Sequence, residues 1–250
     1  MTQDVSPTRR PIGAVRISSA ALVGVVAAVL VPTAAAATAV AISGRVTGEH
    51  TTVAITPTGP ITRVVVEDSD SDVFITGDAA ATDARGQAEV QWKGVHGPRP
   101  VLHQSVADGV LTLSKDCSPG ACGSIDITLR VPPGISVRAA TSSGRIQVRN
   151  VAGGVDLTSL DGDLEAFGLG SGPASFTTTD GTVRAAFTGA PDRIAVSSGD
   201  GDVTITTDGR TPYYDNVTTT DGGQELGNVG DRYASREIDV TTTNGKVTIQ

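Results

Sequence analysis

The chain has 250 residues, of which 30 are glycine and only 3% are aromatic. A sandwich or barrel core of this size usually buries more aromatic side chains, so the composition favours a fold that packs small β-branched residues. The formal net charge is -8, and because residues 1–44 contribute +2, residues 45–250 carry -10. An acidic domain of this kind disfavours binding to nucleic acid or to anionic lipid headgroups, which both require a basic surface.

The N-terminal part of the chain has the pattern of a membrane segment. Residues 1–16 are polar and basic, whereas residues 17–44 contain no charged side chain. About 20 apolar residues in a helix cross a bilayer, so residues 17–44 are predicted to be a transmembrane signal anchor. The basic flank predicts that residues 1–16 form a cytoplasmic tail and that the domain lies outside the cell. A cleaved signal peptide, with a mature chain beginning near Thr38, is the alternative, and it also exports residues 45–250.

The next part of the chain predicts β-structure that begins irregularly. Residues 45–60 are predicted to be a linker with one strand, Thr52 to Ile55, before a β-strand-repeat domain over residues 61–250. Apolar residues alternate on both sides of Asp70-Ser71-Asp72, the pattern of two strands joined by a turn. Residues 77–136 interrupt this pattern. They predict non-periodic hairpins that cap the N-terminal end of the domain, since terminal repeats are commonly atypical.

Two cysteines and a hairpin signal lie in this non-periodic part. Ala107-Asp108-Gly109 separates two alternating runs and predicts a β-hairpin. Cys117 and Cys122 bracket a Pro-Gly turn, and an even pair in an exported chain predicts a local disulfide. A metal site is the alternative, but two thiolates cannot complete a tetrahedral site and no histidine lies near them in the sequence.

From residue 137 onward, a turn dipeptide recurs between runs of alternating apolar residues, at steps of 18 to 23 residues. Alternation predicts strands with one buried face, and Asp-Gly or Asn-Gly predicts tight turns with positive φ. A period of about 20 residues in six copies predicts an all-β fold, a β-solenoid of stacked coils behind the transmembrane helix. The turn positions are Ser143-Gly144, Asp161-Gly162, Asp180-Gly181, Asp200-Gly201, Asp221-Gly222 and Asn244-Gly245.

The period also predicts which side chains meet in the stack. Phe176 and Val196 are expected to be inward neighbours in adjacent coils, and Arg184 is expected to face outward. The Ser and Thr residues before the turns are expected to form outward-facing ladders, which stabilise sheets through cross-strand hydrogen bonds. These residues are Ser142, Ser159, Thr178, Thr179, Ser197, Ser198, Thr219, Thr220, Thr242 and Thr243.

The aspartates around the turns allow two chemical alternatives to a structural role. Pairs such as Asp161 with Asp163, or turn aspartates of adjacent coils about 4.8 Å apart, would suit a retaining glycosidase. The array offers few aromatic platforms for a glycan, however. A ladder of turn aspartates could also bind Ca²⁺, but its spacing does not match the nine-residue calcium-binding repeat. The turn itself explains Asp before Gly, so the sequence predicts no catalytic, cofactor or metal site.

The C-terminal end of the array is predicted to be an open edge. Residues 246–250 have the pattern of a strand in the final coil, and an uncovered end leaves backbone groups unpaired. Residues 223–236 are a candidate cover over this end. The sequence therefore predicts a mostly monomeric protein with weak self-association through the edge of the last strand.

The run Leu129-Arg130-Val131-Pro132-Pro133-Gly134, followed by Thr141-Ser142-Ser143-Gly144 and the train of turns, resembles the bacterial putative-adhesin family. Its members are β-strand-repeat proteins of unknown function, and many have an N-terminal membrane segment. The resemblance covers roughly residues 61–250. The chain departs from the pattern at Gly222-Gly223-Gln224 and at Asp215, where an apolar residue is expected. The resemblance implies surface attachment, and it implies neither an established ligand nor catalytic residues.

Together these features predict a single-pass membrane protein whose extracellular domain is a structural or adhesive module without catalytic activity. A glycan or protein of the cell envelope is the class of ligand that its strand faces or edges would bind. One alternative function is a carbohydrate-active enzyme on a β-solenoid. Another is an envelope sensor whose short cytoplasmic tail reports an external event.

Overall fold

The computed structural model describes residues 50–94, 97–117 and 122–250, which form nineteen β-strands and no helix. The all-β prediction is confirmed for these residues. No helix within these ranges is long and apolar enough to cross a bilayer, and the tail and membrane segment predicted over residues 1–44 lie outside them. In chain order the strands are β1 (His50–Ile55), β2 (Arg63–Glu67), β3 (Val73–Gly77), β4 (Arg85–Gln91), β5 (Val101–Ala107), β6 (Val110–Asp116), β7 (Ser124–Val131), β8 (Ser136–Ser143), β9 (Ile146–Arg149), β10 (Val155–Asp161), β11 (Leu164–Leu169), β12 (Ala174–Asp180), β13 (Val183–Phe187), β14 (Arg193–Asp200), β15 (Val203–Thr206), β16 (Tyr214–Asp221), β17 (Gln224–Leu226), β18 (Glu237–Asn244) and β19 (Val247–Ile249).

The strands form two sheets with mainly parallel pairing. Sheet A has the order β1-β4-β7-β3-β9-β11-β13-β15-β19-β17, and sheet B has the order β5-β6-β2-β8-β10-β12-β14-β18-β16. Most strands of sheet B are followed, after a turn, by a strand at the same level of sheet A, and such a pair is termed a layer. Along the stack of described residues the layers are β6/β7, β2/β3, β8/β9, β10/β11, β12/β13, β14/β15, β18/β19 and β16/β17.

The inward side chains of both sheets form one core of mainly aliphatic residues. Phe176 in β12 pairs in register with Val196 in β14, and both side chains are buried. Arg184 in β13 is exposed, so the register predicted from the repeat is confirmed. Phe176 shares its layer with Ala185, a small buried residue of the opposite sheet. Layers as thin as these fill their interior with few aromatic side chains, which explains the low aromatic content.

The turns between the two sheets are stacked so closely that only glycine fits. A Cβ on Gly201 would overlap the carbonyl oxygen of Gly181, and a Cβ on Gly181 would overlap that of Gly162. Gly201 also has a φ of 137°, which disfavours L side chains. The sequence explained these glycines by their φ angle alone, whereas the contact between layers is the more general reason. The same contact with a carbonyl oxygen of the preceding layer recurs at Gly144, Gly162, Gly181, Gly201, Gly245 and Gly222.

The order of the layers departs from the order of the chain at the C-terminal end. β18/β19 pairs with β14/β15 on one side and with β16/β17 on the other. The prediction that residues 246–250 form an open edge is therefore wrong, and β19 has no free edge for the self-association expected there. The end strands are β16 and β17. Asp215 and Gln224 place polar side chains at inward positions of these strands, which an end layer tolerates because one of its faces is not covered by another layer.

Residues 227–236 cover part of this end layer, whereas the sequence offered residues 223–236 as a candidate cover for the edge of the last strand. Asn228 donates hydrogen bonds from Nδ2 to the two carboxylate oxygens of Asp215, at 3.0 and 3.1 Å. The backbone N–H of Tyr213 donates to the carbonyl oxygen of Val229 at 3.0 Å. Burial raises the pKa of Tyr213 to about 12. The irregular Asp215 therefore anchors the segment that covers the end.

A similar insertion occurs at the N-terminal end. β2/β3 precedes β6/β7 in the chain but lies between β6/β7 and β8/β9 in the stack. Asp70 forms a bridge with Ser143, so the early copy of the repeat is confirmed. Beyond β6/β7, antiparallel strands β5, β4 and β1 complete the two sheets. β4 and β5 cap this end as predicted, whereas β1, predicted as a strand of a linker, is the outermost strand of sheet A. The hairpin turn at Asp108 and Gly109 has positive φ at both residues.

The glycine contact predicts a large effect of one methyl group. Gly201→Ala should lower the free energy of unfolding by more than about 2 kcal/mol, because the new Cβ overlaps a backbone oxygen that cannot move aside. The matched control is Gly223→Ala, since a Cβ at Gly223 meets no atom within 4 Å. Its cost should stay below about 1 kcal/mol. Chemical unfolding measures both, and equal effects would contradict the proposed role of layer contact.

Candidate functional site

A groove crosses the outer face of sheet B over the adjacent strands β2, β8, β10, β12 and β14, with a volume of about 440 Å³. Strands in a sheet lie about 4.8 Å apart, so these strands give the groove a length of about 20 Å. The groove runs across the strands and therefore draws one or two side chains from each layer. Its lining residues are Arg63, Ser136, Val137, Arg138, Gly154, Val155, Asp156, Pro173, Ala174, Ser175, Arg193 and Ala195.

The groove exists because the outward side chains of β12 and β14 are small. Ser175 and Ala195 lie side by side in register. Asp156 lies next to Ser175 on one side, and Asp239 lies next to Ala195 on the other. The change from longer to shorter side chains along this row makes the depression. A second depression of about 260 Å³ continues along the same two strands toward the turns.

Ion pairs hold two arginines at the rim of the groove. Arg193 pairs with Glu237 and with Asp239, each at an N–O distance of 2.8 Å. Arg138 Nη1 lies 3.3 Å from Asp156 Oδ2. Pairs at an exposed surface contribute little to stability. Their main effect here is to fix the direction in which each guanidinium group points.

Arg63 is the third arginine of the groove and lies at its β2 side. Its side chain is exposed, and no ion pair found among the described residues includes it. Arg63 pairs in register with Ser136, so the insertion of β2 beside β8 places it at the groove. The lining residues carry a net charge of +2, although residues 45–250 carry -10. With Glu237 and Asp239, the two acidic partners of Arg193, also counted, the groove is neutral on a negative domain, and Arg63, unpaired among the described residues, suits an anionic group of a ligand.

The predicted turn residues form a second feature, a column along the corner between the sheets. Pairing in register places Asp161, Asp180 and Asp200 next to one another, and burial together with these two neighbours raises the pKa of Asp180. Ser143 and Asn244 flank the three acids, and Asn244 donates a hydrogen bond to Asp200. Within the described ranges, no group of three or more His, Cys, Asp or Glu side chains could hold a metal ion. The order in space is Asp70, Ser143, Asp161, Asp180, Asp200, Asn244 and Asp221.

The aspartates that follow the turns have a different role. Asp163 Oδ1 accepts a hydrogen bond from the backbone N–H of Thr182 in the next layer at 2.9 Å, and this bond lowers the pKa of Asp163. Asp202 Oδ1 accepts from the N–H of Lys246 in the same way at 2.8 Å. Each carboxylate therefore satisfies a turn amide of its neighbour. The residues that make this contact are Asp126, Asp72, Asp163 and Asp202.

The Ser and Thr ladders were predicted to face outward, and this prediction is wrong for one residue of each pair. Thr178 lies two residues after the buried Phe176, so strand alternation turns it inward, while Thr179 faces out. The inward threonine hydroxyls donate to turn carbonyl oxygens from inside the stack, as Thr242 Oγ1 does to Asn244 at 3.2 Å. Ser159 and Ser198 Oγ are buried and have no hydrogen-bond partner among the described residues. The buried members of this hydroxyl column are Thr141, Ser159, Thr178, Ser198 and Thr242.

The two cysteines lie at the turn of layer β6/β7. Cys117 and Cys122, the pair for which the sequence predicts a local disulfide, are joined by a disulfide bond. The bond closes the connection from β6 to β7, at the level where the later layers have their Asp-Gly turns.

Sequence reasoning missed the groove because its arginines belong to no motif. A signal was present at one position of the repeat, five residues before each turn. Arg138, Asp156, Ser175, Ala195 and Asp239 occupy this position in successive layers. A comparison of side-chain size at this position would have predicted a depression between Asp156 and Asp239.

The fold is an all-β stack of two-strand layers closed by glycine turns, and comparison with known proteins gives it a family. Residues 122–250, more than half of the chain, match the family Toastrack DUF4097. The chain belongs to the Toastrack DUF4097 family, and the resemblance to a putative-adhesin family of unknown function is confirmed.

Three solved structures illustrate what this chain is similar to. A putative cell adhesion protein from Clostridium sporogenes ATCC 15579 has 10% identity and a TM-score of 0.46, over 81% of this chain and 99% of that one. A putative adhesin from Bacteroides fragilis NCTC 9343 has 14% identity and a TM-score of 0.47, over 81% and 97%. A putative lipid binding protein from Parabacteroides distasonis ATCC 8503 has 11% identity and a TM-score of 0.32, over 81% and 97%. No curated protein matches the chain.

The two kinds of aspartate predict opposite effects on stability. The raised pKa of Asp180 means that its contribution to stability is lost as pH rises through the folded-state pKa. Asp180→Asn should therefore raise the melting temperature at neutral pH, and the gain should vanish near pH 3, where both forms are uncharged.

The lowered pKa of Asp163 means that its contribution to stability is present at neutral pH and is lost on acidification. Asp163→Ala should cost about 1 kcal/mol at neutral pH and less near pH 3.

Thermal unfolding of the two variants between pH 3 and pH 7 tests this pair of predictions. Shifts of the same sign at neutral pH would contradict the assignment of repulsion to Asp180 and of a hydrogen bond to Asp163.

Proposed function

We propose that this chain is a cell-surface module that binds an extended acidic polysaccharide of the cell envelope in the groove on sheet B. The observation that carries this proposal is the placement of Arg63, Arg138 and Arg193 along a groove that crosses five strands of a negative domain. The adhesin resemblance, which implies surface attachment, supports the cellular location. The β-solenoid-like stack would present the groove as a rigid surface.

The shape and charge of the groove favour a linear acidic glycan over a compact ligand. The floor around Ser175 and Ala195 is shallow and long, so that it fits a chain lying across the strands. Guanidinium groups bind carboxylates through two parallel N–H donors, and a sugar acid presents a carboxylate at each repeat. Arg63 has unused donors for such a contact. Arg138 and Arg193 are already oriented by their acidic partners.

We also propose that the module is not an enzyme. The aspartates that raised the glycosidase alternative have structural partners, since Asp163 and Asp202 each accept a backbone hydrogen bond from the next layer. Asp161 and Asp180 lie on the corner of the stack and line none of the grooves described above. Release of reducing ends from a polysaccharide, lost in Asp161→Ala, would favour the enzyme instead.

Binding to the groove should depend on its arginines. Isothermal titration of the purified full-length chain in detergent with polygalacturonate should show binding that weakens as salt is raised, because exposed charges are screened. Arg63→Gln and Arg193→Gln should each weaken binding about tenfold or less, equivalent to about 1.4 kcal/mol. The double variant should bind still more weakly.

The matched control is Arg184→Gln, which removes an exposed arginine from the outer face of sheet A. This variant should bind polygalacturonate as the unmodified chain does. Equal loss in Arg184→Gln would indicate nonspecific charge attraction, and equal binding of neutral dextran would contradict the acidic-ligand proposal. Binding of an acidic peptide but of no polysaccharide would replace the glycan by a protein partner.

We further propose that residues 17–44 anchor the chain and that residues 45–250 lie outside the cell. Protease added to intact cells should remove an epitope placed within the repeats and should leave an epitope near Met1 protected, because the basic flank of the segment stays inside. Protection of the repeat epitope would contradict this topology. A released chain beginning near Thr38 would select the cleaved signal peptide.

A further inference from the structure

The buried hydroxyl column ends in a buried ion pair. Asp68 follows β2, and its backbone N–H donates a hydrogen bond to the carbonyl oxygen of Ala140. This bond places Asp68 beside Thr141, the first residue of the hydroxyl column. Glu67 in β2 pairs in register with Ser114 in β6, so the residues that follow them, Asp68 and Lys115, lie side by side in adjacent layers. The Lys115 and Asp68 side chains are only 4% and 1% exposed, and Lys115 Nζ lies 2.9 Å from Asp68 Oδ1.

The two oxygens of Asp68 have unequal surroundings. Oδ1 accepts from the backbone N–H groups of Ser69, at 2.6 Å, and Asp70, at 3.3 Å, in addition to Lys115. Oδ2 is buried and has no hydrogen-bond partner among the described residues. A buried carboxylate with one unsatisfied oxygen is costly, and a buried ion pair is stabilising only when all its groups are satisfied. The hydrogen bonding of this ion pair is therefore incomplete at Oδ2.

We propose that Lys115 and Asp68 condense to an intramolecular isopeptide bond. The reacting forms are the amine of Lys115 and the carboxylic acid of Asp68, which together hold the same protons as the ion pair. The Nζ lone pair attacks Cγ, the Nζ–Cγ bond forms, and the bond from Cγ to Oδ2 breaks. Oδ2 leaves as water with one proton from the acid and one from the amine. No oxidant or other reactant is needed.

The surroundings fit the product better than they fit the ion pair. The amide retains Oδ1 with its two backbone donors and eliminates the unsatisfied Oδ2. Its remaining N–H can donate to the carbonyl oxygen of Gly123, which already lies 3.1 Å from Nζ. A neutral amide also costs less to bury than two charges. Every polar group of the cross-link would then have a partner.

A third carboxylate is placed to move the protons. Asp70 Oδ2 lies 3.6 Å from Lys115 Nζ and is largely exposed. It can take a proton from Nζ during attack and return it to the leaving oxygen, the role of a general acid–base. The pair also lines a surface cavity of about 430 Å³ with Ser69 and Ser142, so the released water has an exit.

The cross-link would join two layers that are not consecutive in the chain. Asp68 belongs to β2/β3 and Lys115 to β6/β7, and the disulfide of Cys117 and Cys122 closes the turn just after Lys115. The isopeptide would hold the inserted layer β2/β3 to β6/β7, the layer next to the antiparallel cap. This inference is independent of any ligand in the groove.

Peptide mapping of the purified, reduced full-length chain tests the proposal. Trypsin does not cleave after an acylated lysine, so the isopeptide predicts one branched species of residues 64–85 joined to residues 94–130, lighter than the sum of the two peptides by one water. Fragmentation should place the branch at Lys115 and Asp68. Cleavage after Lys115 together with a free peptide of residues 64–85 would show an ordinary ion pair and overturn the proposal.

Two variants separate the chemistry from the ion pair. Lys115→Arg keeps a cation beside Asp68 but removes the amine nucleophile, so the branched species should disappear. Asp70→Asn removes the proton carrier, and the branched fraction should fall severalfold while the fold is retained by circular dichroism. An unchanged fraction in Asp70→Asn would overturn the role of Asp70. If Lys115→Arg fails to fold, the map of the unmodified chain still decides.

Discussion

The close approach of successive turns at the corner between the sheets is the constraint on which the rest of the structure depends. Each turn glycine lies against a carbonyl oxygen of the preceding layer in the stack, as Gly201 does against Gly181, so no layer can shift without a clash. A shift of one residue would also exchange the inward and outward faces of a strand. The contacts at this corner therefore also fix the register of the other rows of side chains, from the core to the arginine groove.

Alignment in register has an electrostatic cost, because equivalent side chains of adjacent layers lie about 4.8 Å apart. The chain limits this cost at the position after each turn, where acids alternate with basic or neutral residues from β3 onward. The sequence in space there is Asp72, Arg145, Asp163, Thr182, Asp202 and Lys246. In the turn column Ser143 and Asn244 leave only Asp161, Asp180 and Asp200 adjacent. The raised pKa of Asp180 reports the repulsion that remains.

The period of the sequence was enough to predict the strands, the turns and the pairing of Phe176 with Val196. It could not predict the order of the layers, because the copies around Asp221 and Asn244 have the same pattern and either could be last. The irregular residue Asp215 indicated which copy is last, since a polar side chain at an inward position fits an end layer.

A pattern within one strand could not predict the groove, because Arg63 reaches the groove only through the insertion of β2 beside β8.

The placement of β18/β19 inside β16/β17 has a mechanical consequence. The end layer β16/β17 is connected to β15 before it and to β18 after it, and both of these strands belong to layers further inside the stack. The end layer therefore cannot peel away from a free strand end, because both of its connections return to layers held by pairing on two sides. End layers of repeat stacks have fewer neighbours and open more easily than internal ones. Holding the end layer at both connections raises the number of contacts that must break together before it opens.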